Sequence, residues 1–128
     1  MLKTANLELR RASIVELLRT NDRAIGRALI VLNNNQTADE QIDENTKHHN
    51  GKGFRPVHAQ RGTSMAKFFT ERGFLTPKQI AYWRKPNSKG EMRIAIYWRQ
   101  LIAAADAKAA ALVAKTEDTS FAFGHNAA

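Results

Sequence analysis

The stretch Leu75–Pro86, LTPKQIAYWRKP, carries the clearest local structural signal in this 128-residue chain. Thr76 is suited to cap a helix N-terminus, Pro77 fits the first helical position, and Gln79 can reach back to complete a capping box. Pro86 cannot continue the helix, and the NSKG residues that follow it are typical of a turn. The stretch therefore predicts a short helix with a defined start and end.

Helical patterns also lie on both sides of this stretch. Before it, a helix is predicted from an N-cap at Ser13 to about Leu32, and the three asparagines 33–35 are expected to end it. Its apolar face consists of Ile14, Leu18, Ile25, Leu29 and Leu32. Arg19, Arg23 and Arg27 form a stripe on the opposite face, which we interpret as a solvated surface.

Two further helices complete the prediction. One is expected from Thr63 or Ser64 to Arg72, with Gly73 closing it in the left-handed conformation. The last is expected from about Glu91 to Lys115. The second half of this last helix is rich in alanine, and three alternatives stay open for it: it protrudes, frays, or packs against another chain as a homo-oligomer.

Residues 36–62 show neither helical nor strand periodicity, which predicts a long central loop. The expected fold is all-α, with three to four helices in one domain over residues 1–115 and a flexible C-terminal tail over 116–128. A small β-hairpin near residues 46–58 is the main alternative.

Charge is concentrated in the middle of the chain. The protein has 20 Lys and Arg against 12 Asp and Glu, a net charge of +8. Residues 46–99 alone contain twelve basic residues and only Glu71 and Glu91 as acids, a net charge of +10. Such a concentrated surplus favours an anionic partner, either nucleic acid (DNA or RNA) or an acidic protein surface.

No pattern of residues indicates a catalytic or cofactor site. The chain has no cysteine, and His48, His49 and His58 do not have the spacing that brings imidazoles to one metal ion. Gly51-Lys52-Gly53 lacks the remaining residues of a nucleotide-binding loop and is typical of a turn, although consecutive turn amides can also hold an anion. Ser64 has no nucleophile-elbow context. We therefore expect a non-enzymatic protein with no metal and no cofactor.

Basic residues alternate with aromatic ones in the same middle segment, which favours nucleic-acid binding. Lysine and arginine neutralise phosphates, and exposed rings stack on unpaired bases. Phe54 and Trp83 are the candidates for stacking, with a core position as the alternative for Trp83, whereas Trp98 is expected in the core. The full predicted site is Lys47, Lys52, Phe54, Arg55, Arg61, Trp83, Arg84, Lys85 and Lys89.

Three short motifs, in order, resemble a small module of bacteriophage and mobile-element genes that occurs alone or beside helicase-like DNA-processing proteins. They are QTADE (36–40), NGKGF (50–54) and LTPKQ (75–79), and the IYWRQL of residues 96–101 is similar to the module's final helix. The similarity spans roughly residues 28–102. Where the module tends to have Asp-Ala after the glycine turn, this chain has His58-Ala59. The resemblance implies a phage or mobile-element origin and a task near nucleic acid, with no reaction attached.

The expected function is thus that of a basic nucleic-acid-binding protein with weak sequence specificity. The alternative, from a different class, is a small phage inhibitor or adaptor of the anti-defence type that docks on a host protein complex. The absence of cysteine and of a long apolar run predicts a cytoplasmic protein with no membrane partner.

Overall fold

The structure, a computed structural model, describes residues 2–46 and 53–127, with side chains described over 6–37 and 53–114. Five α-helices occur in this part of the chain: α1 (Leu2–Thr20), α2 (Asp22–Thr46), α3 (Pro56–Arg72), α4 (Pro77–Arg84) and α5 (Trp98–Ala127). A 3-10 helix over Arg93–Tyr97 leads into α5. The all-α prediction is confirmed.

The first predicted helix is two helices in the structure. Asn21 separates α1 from α2, and its side-chain oxygen accepts a hydrogen bond from the Ala24 amide at 3.2 Å. Ser13 lies inside α1 and is therefore not an N-cap. The apolar residues assigned to one face are nevertheless buried, with Leu18 on α1 and Ile25, Leu29 and Leu32 on α2.

The prediction of a long loop over residues 36–62 is wrong for the described residues. The asparagines at 33–35 do not end the helix, because α2 continues to Thr46, and α3 begins at Pro56 rather than near Thr63. Residues 53–55, directly before α3, contain no strand. Residues 47–52, where the rest of the hairpin alternative falls, lie outside the described residues.

Helix α4 follows its sequence prediction closely. The Gln79 amide donates to the Thr76 hydroxyl at 3.2 Å, and the Thr76 amide donates to the Gln79 side chain at 2.8 Å. The helix ends at Arg84, and the Asn87 side chain accepts the amides of Lys89 and Glu91 in the following turn. The capping box and the stop are confirmed, as is the left-handed Gly73 (φ 80°) after α3.

The core lies between α2, α3, α4 and the start of α5. Helices α2 and α3 run antiparallel, since Gly26 lies against Phe69 while Gln36 lies against Gly53. The most deeply buried large side chains are Ile25, Leu29, Leu32, Trp83 and Ile94. Helix α1 packs on α5, and Arg10 is paired there with Asp106.

The last helix begins later than predicted, because residues 93–97 form the 3-10 helix and α5 starts at Trp98. It continues to Ala127, through the segment predicted as a flexible tail, whose side chains lie outside the described residues. Packing of this helix against a second copy stays a prediction. Across the described residues, no helix combines the length and apolar character needed to cross a bilayer.

Candidate nucleic-acid interface

An aromatic group around Trp83 fixes the geometry of the candidate site. The ring of Phe54 lies 5.9 Å from that of Trp83 and 6.0 Å, edge-on, from that of Tyr97. His58 lies edge-on to the rings of Trp83 and Tyr97 at 5.6 and 5.9 Å. The Trp83 indole donates to the sulfur of Met65 at 3.0 Å. These contacts join α3 and the residue pair before it to α4 and to the 3-10 helix that leads into α5.

The stacking role expected for Phe54 and Trp83 is therefore incorrect. Their exposed fractions are 3% and 0%, so neither ring has a face open to a base. A large aromatic ring contributes more to stability when it is buried between helices than when it is exposed on the surface. For Trp83 the core alternative applies, and the core position predicted for Trp98 is confirmed.

A buried polar pair lies at the centre of this aromatic group. The Arg55 amide donates to the Tyr97 hydroxyl at 3.0 Å, and that hydroxyl lies 2.5 Å from Nδ1 of His58. Burial lowers the pKa of His58, and the charges of Arg93 and Arg55 lower it further. Burial also raises the pKa of Tyr97. A neutral imidazole can accept a hydrogen bond at Nδ1, so the Tyr97 hydroxyl can donate to His58 while it accepts from the Arg55 amide.

Tyr82 lies at the outer edge of the aromatic group, beneath two guanidinium groups. Those of Arg93 and Arg61 lie 3.9 and 5.0 Å from the centre of its ring. Arg93 also donates to the Tyr82 carbonyl oxygen at 2.7 Å. Together with Arg55, which is close enough to repel a proton on His58, these residues form a surface that we call the arginine cluster: Arg55, Arg61, Tyr82 and Arg93.

The arginines of this cluster have no acidic partner among the described residues. The ion pairs in that part of the chain join Arg10 to Asp106, Arg11 to Glu91, Arg19 to Glu16 and Arg84 to Asp22. Cation–π contact orients a guanidinium group without neutralising its charge. Arg55 and Arg61 are exposed, and Arg93 is half-buried. The cluster therefore presents positive charge that no acid among the described residues neutralises.

Arg84 does not belong to this surface, contrary to its place in the predicted site. Its Nε donates to the Leu18 carbonyl oxygen at 3.0 Å, and it pairs with Asp22 at 2.8 Å. These contacts tie the end of α4 to the junction of α1 and α2. An arginine held in this way stabilises the fold and has little capacity left for a phosphate.

The lysines of the predicted site lie in different parts of the chain. Lys85 is exposed, and its carbonyl oxygen accepts the Arg93 amide at 2.9 Å, which places it beside the arginine cluster. Lys89 is exposed in the turn after α4. Lys47 and Lys52 lie outside the described residues. Of the residues predicted for the site, those that the described structure places at the arginine cluster are Arg55, Arg61 and Lys85.

The corner near residues 84–91 has a different character. A groove of about 700 Å³ separates it from α1, and its walls carry Arg11, Arg19 and Arg84 together with the acids Glu8, Glu16 and Glu91. The exposed pair of Arg19 with Glu16 lowers the pKa of that carboxyl group through a direct hydrogen bond. Since its charges are mixed, this groove lacks the surplus that attracts a phosphate backbone.

The histidines considered as metal ligands are not brought together in the described structure. His58 is buried beside Tyr97, and His48 and His49 lie outside the described residues. Within the described residues, no group of three or more His, Cys, Asp or Glu side chains could hold a metal ion.

Sequence reasoning missed Tyr82 and Arg93 as members of the site. The sequence shows two adjacent aromatic residues, Tyr82 and Trp83, before Arg84 and Lys85. Their spacing does not show which of the two rings faces solvent. Arg93 reaches Tyr82 only because the turn after α4 reverses the chain. No family model, curated protein or solved structure matches the chain.

Proposed function

We propose that this protein is a non-enzymatic nucleic-acid-binding protein that holds phosphates through the arginine cluster. The observation that carries the proposal is that three arginines lie at one aromatic group with no acid paired to any of them in the described residues. Arg61 and Arg93 lie over the ring of Tyr82, and the Arg55 amide donates to the Tyr97 hydroxyl in the same group. Clustered arginine is the side chain best suited to bidentate phosphate contacts.

The arrangement favours the phosphate backbone over the bases. Phe54 and Trp83 are buried, and the ring of Tyr82 is already in contact with two guanidinium groups. Without a free aromatic face in the arginine cluster, affinity there comes mainly from charge neutralisation and counterion release, which do not depend on base sequence. The proposed binding is therefore weak in sequence preference and strongly dependent on salt.

The origin in a phage or mobile element, implied by the QTADE, NGKGF and LTPKQ motifs, stays a prediction. These motifs support the proposal only because the module that they resemble also occurs beside DNA-processing proteins.

The test is a titration of labelled single- and double-stranded oligonucleotides at several salt concentrations. We expect affinity to fall steeply as salt rises, with similar values for unrelated sequences. Replacing both Arg55 and Arg61 with Gln should reduce the slope of log affinity against log salt by about 1.4–1.8, because each lost phosphate contact contributes about 0.7–0.9.

The matched control is Arg27→Gln with Lys108→Gln, which removes the same charge from exposed positions beside the groove between α1, α2 and α5. We expect this control to keep most of the slope. If both double variants lose the same amount, binding is diffuse and the cluster is not the site. Absence of binding at low salt would overturn the proposal and favour docking on a host protein.

A further inference from the structure

A pocket of about 360 Å³ lies next to the arginine cluster, between residues 53–56 and residues 96–100. Its volume is in the range of small-molecule sites. The pocket, which we call the Gly53 pocket, shares Arg55 with the cluster and adds Arg99, a residue that the site described above does not include.

The walls of the Gly53 pocket are fixed by hydrogen bonds. The Gln100 side chain accepts the Gly53 amide at 2.7 Å and donates to the Gly53 carbonyl oxygen at 3.0 Å. Its oxygen also accepts from Asn35 at 3.0 Å. Gly53 has φ of 86°, and a Cβ there would lie 2.6 Å from the Cα of Gln36. The backbone at this point is therefore pressed against α2 and has little freedom to move.

Among the described residues, the charged side chains that line the Gly53 pocket are both basic. They are Arg55 and Arg99, and both are exposed. The guanidinium group of Arg99 lies 4.8 Å from the ring centre of Trp98, which orients it while leaving its edge available. The polar groups of Tyr97 and Gln100 are already satisfied, so the two arginines are the groups left to meet a ligand.

We infer that the Gly53 pocket binds a phosphomonoester, such as the terminal phosphate of a nucleic-acid strand. A phosphomonoester carries a charge of about −1.5 to −2 near neutral pH, which matches two arginines better than the single charge of an internal phosphodiester does. A recess also suits a group at the end of a chain, because an internal phosphate must enter with sugar on both sides. The inference rests on the proposed function and adds a preference for strand ends.

The experiment compares one oligonucleotide sequence in three forms: 5′-phosphorylated, 3′-phosphorylated and without a terminal phosphate. We expect at least one phosphorylated form to bind about tenfold more tightly than the unphosphorylated form, as two charge-assisted contacts would give. Arg99→Gln should abolish this difference while the salt-dependent binding of the unphosphorylated strand persists. Arg27→Gln, which removes one charge elsewhere on the surface, should leave the difference intact.

Adenosine monophosphate as a competitor distinguishes the two sources of a phosphomonoester. If adenosine monophosphate competes only at concentrations far above that of the phosphorylated strand, the pocket binds the strand end. If it competes as strongly as the phosphorylated strand, the pocket binds free nucleotides, and the strand-end inference is overturned. Equal binding of all three strands overturns the pocket and leaves the proposed function standing. Failure of every strand to bind overturns the proposed function itself.

Discussion

Gly62 offers a prediction in which two physical effects have opposite signs. It lies inside α3, where replacing glycine with alanine normally stabilises a helix by up to about 1 kcal/mol. Here a Cβ at position 62 would lie 2.7 Å from Cδ1 of Phe54 and closer still to two other ring atoms. Phe54 is 3% exposed and contacts Trp83 and Tyr97, so its ring has little room to retreat. Overpacking of this kind typically costs about 1–3 kcal/mol.

The two effects together leave a net loss of about 0–2 kcal/mol. We therefore expect Gly62→Ala to lower the free energy of unfolding by about 1 kcal/mol, and the melting temperature by roughly 3–6 °C. The assay is thermal and urea unfolding followed by far-ultraviolet circular dichroism. Ser64→Ala, at an exposed position of the same helix, should change stability by less than about 0.5 kcal/mol. In a Phe54→Leu background the cost of Gly62→Ala should shrink, because the ring atoms that it meets are absent. A Gly62→Ala protein more stable than the wild type, as helix propensity alone would give, would refute the packing described for α3.

Three further predictions address the rest of the fold. Because the pKa of His58 lies below its ordinary value of 6.5 in the folded chain, its contribution to stability is complete above that value and is lost as pH falls below it. Between about pH 7.5 and 5.5, wild-type melting temperature should thus fall further than that of His58→Gln, and equal falls would contradict the assignment. Arg84→Lys, which cannot keep both contacts of the guanidinium group, should lower the free energy of unfolding by about 1–2 kcal/mol in urea titrations. Lys85→Ala should change it by less than about 0.5 kcal/mol, and similar losses would show that Arg84 is not structural. Thr76→Ala should cost about 1 kcal/mol by the same measurement and Thr76→Ser much less, so an equal loss from both would argue against the capping box.

The sequence predicted α4 and its ends because those signals are local. A capping box needs only Thr76 and Gln79 three residues apart, and a stop needs only Pro86. The break at Asn21 is equally local, since asparagine is a good N-cap, but the prediction followed the continuous apolar pattern on either side and did not consider this residue. Both helices bury their apolar residues in the same core, which is why the face was correct and the helix count was not.

The loop predicted over residues 36–62 failed for a different reason. The end of α2 is polar, so it has no apolar period, yet it contains no proline or glycine to stop a helix. The start of α3 was missed because its buried residues are His58, Gly62 and Ala66, none of which has the bulk or apolarity of a typical core position. Gly62 lies against the ring of Phe54, which leaves no room for a Cβ, and sequence spacing does not indicate this contact.

The candidate site was predictable in its charge and not in its geometry. The concentration of lysine and arginine in residues 46–99 is visible in the sequence, and Arg55, Arg61 and Lys85 are indeed exposed. Arg84 is excluded from the site because it contacts Leu18 and Asp22. Arg93 is included because its guanidinium group lies over Tyr82. Only the tertiary structure shows these contacts.

The most direct test of the account is to follow the backbone amide signals of nitrogen-labelled protein by NMR while an unphosphorylated oligonucleotide is added at low salt. If the arginine cluster binds the phosphates, the largest shifts fall around Arg55, Arg61, Lys85 and Arg93, and they reverse when salt is raised. Largest shifts around Arg27 and Lys108, which line the groove between α1, α2 and α5, would contradict this prediction.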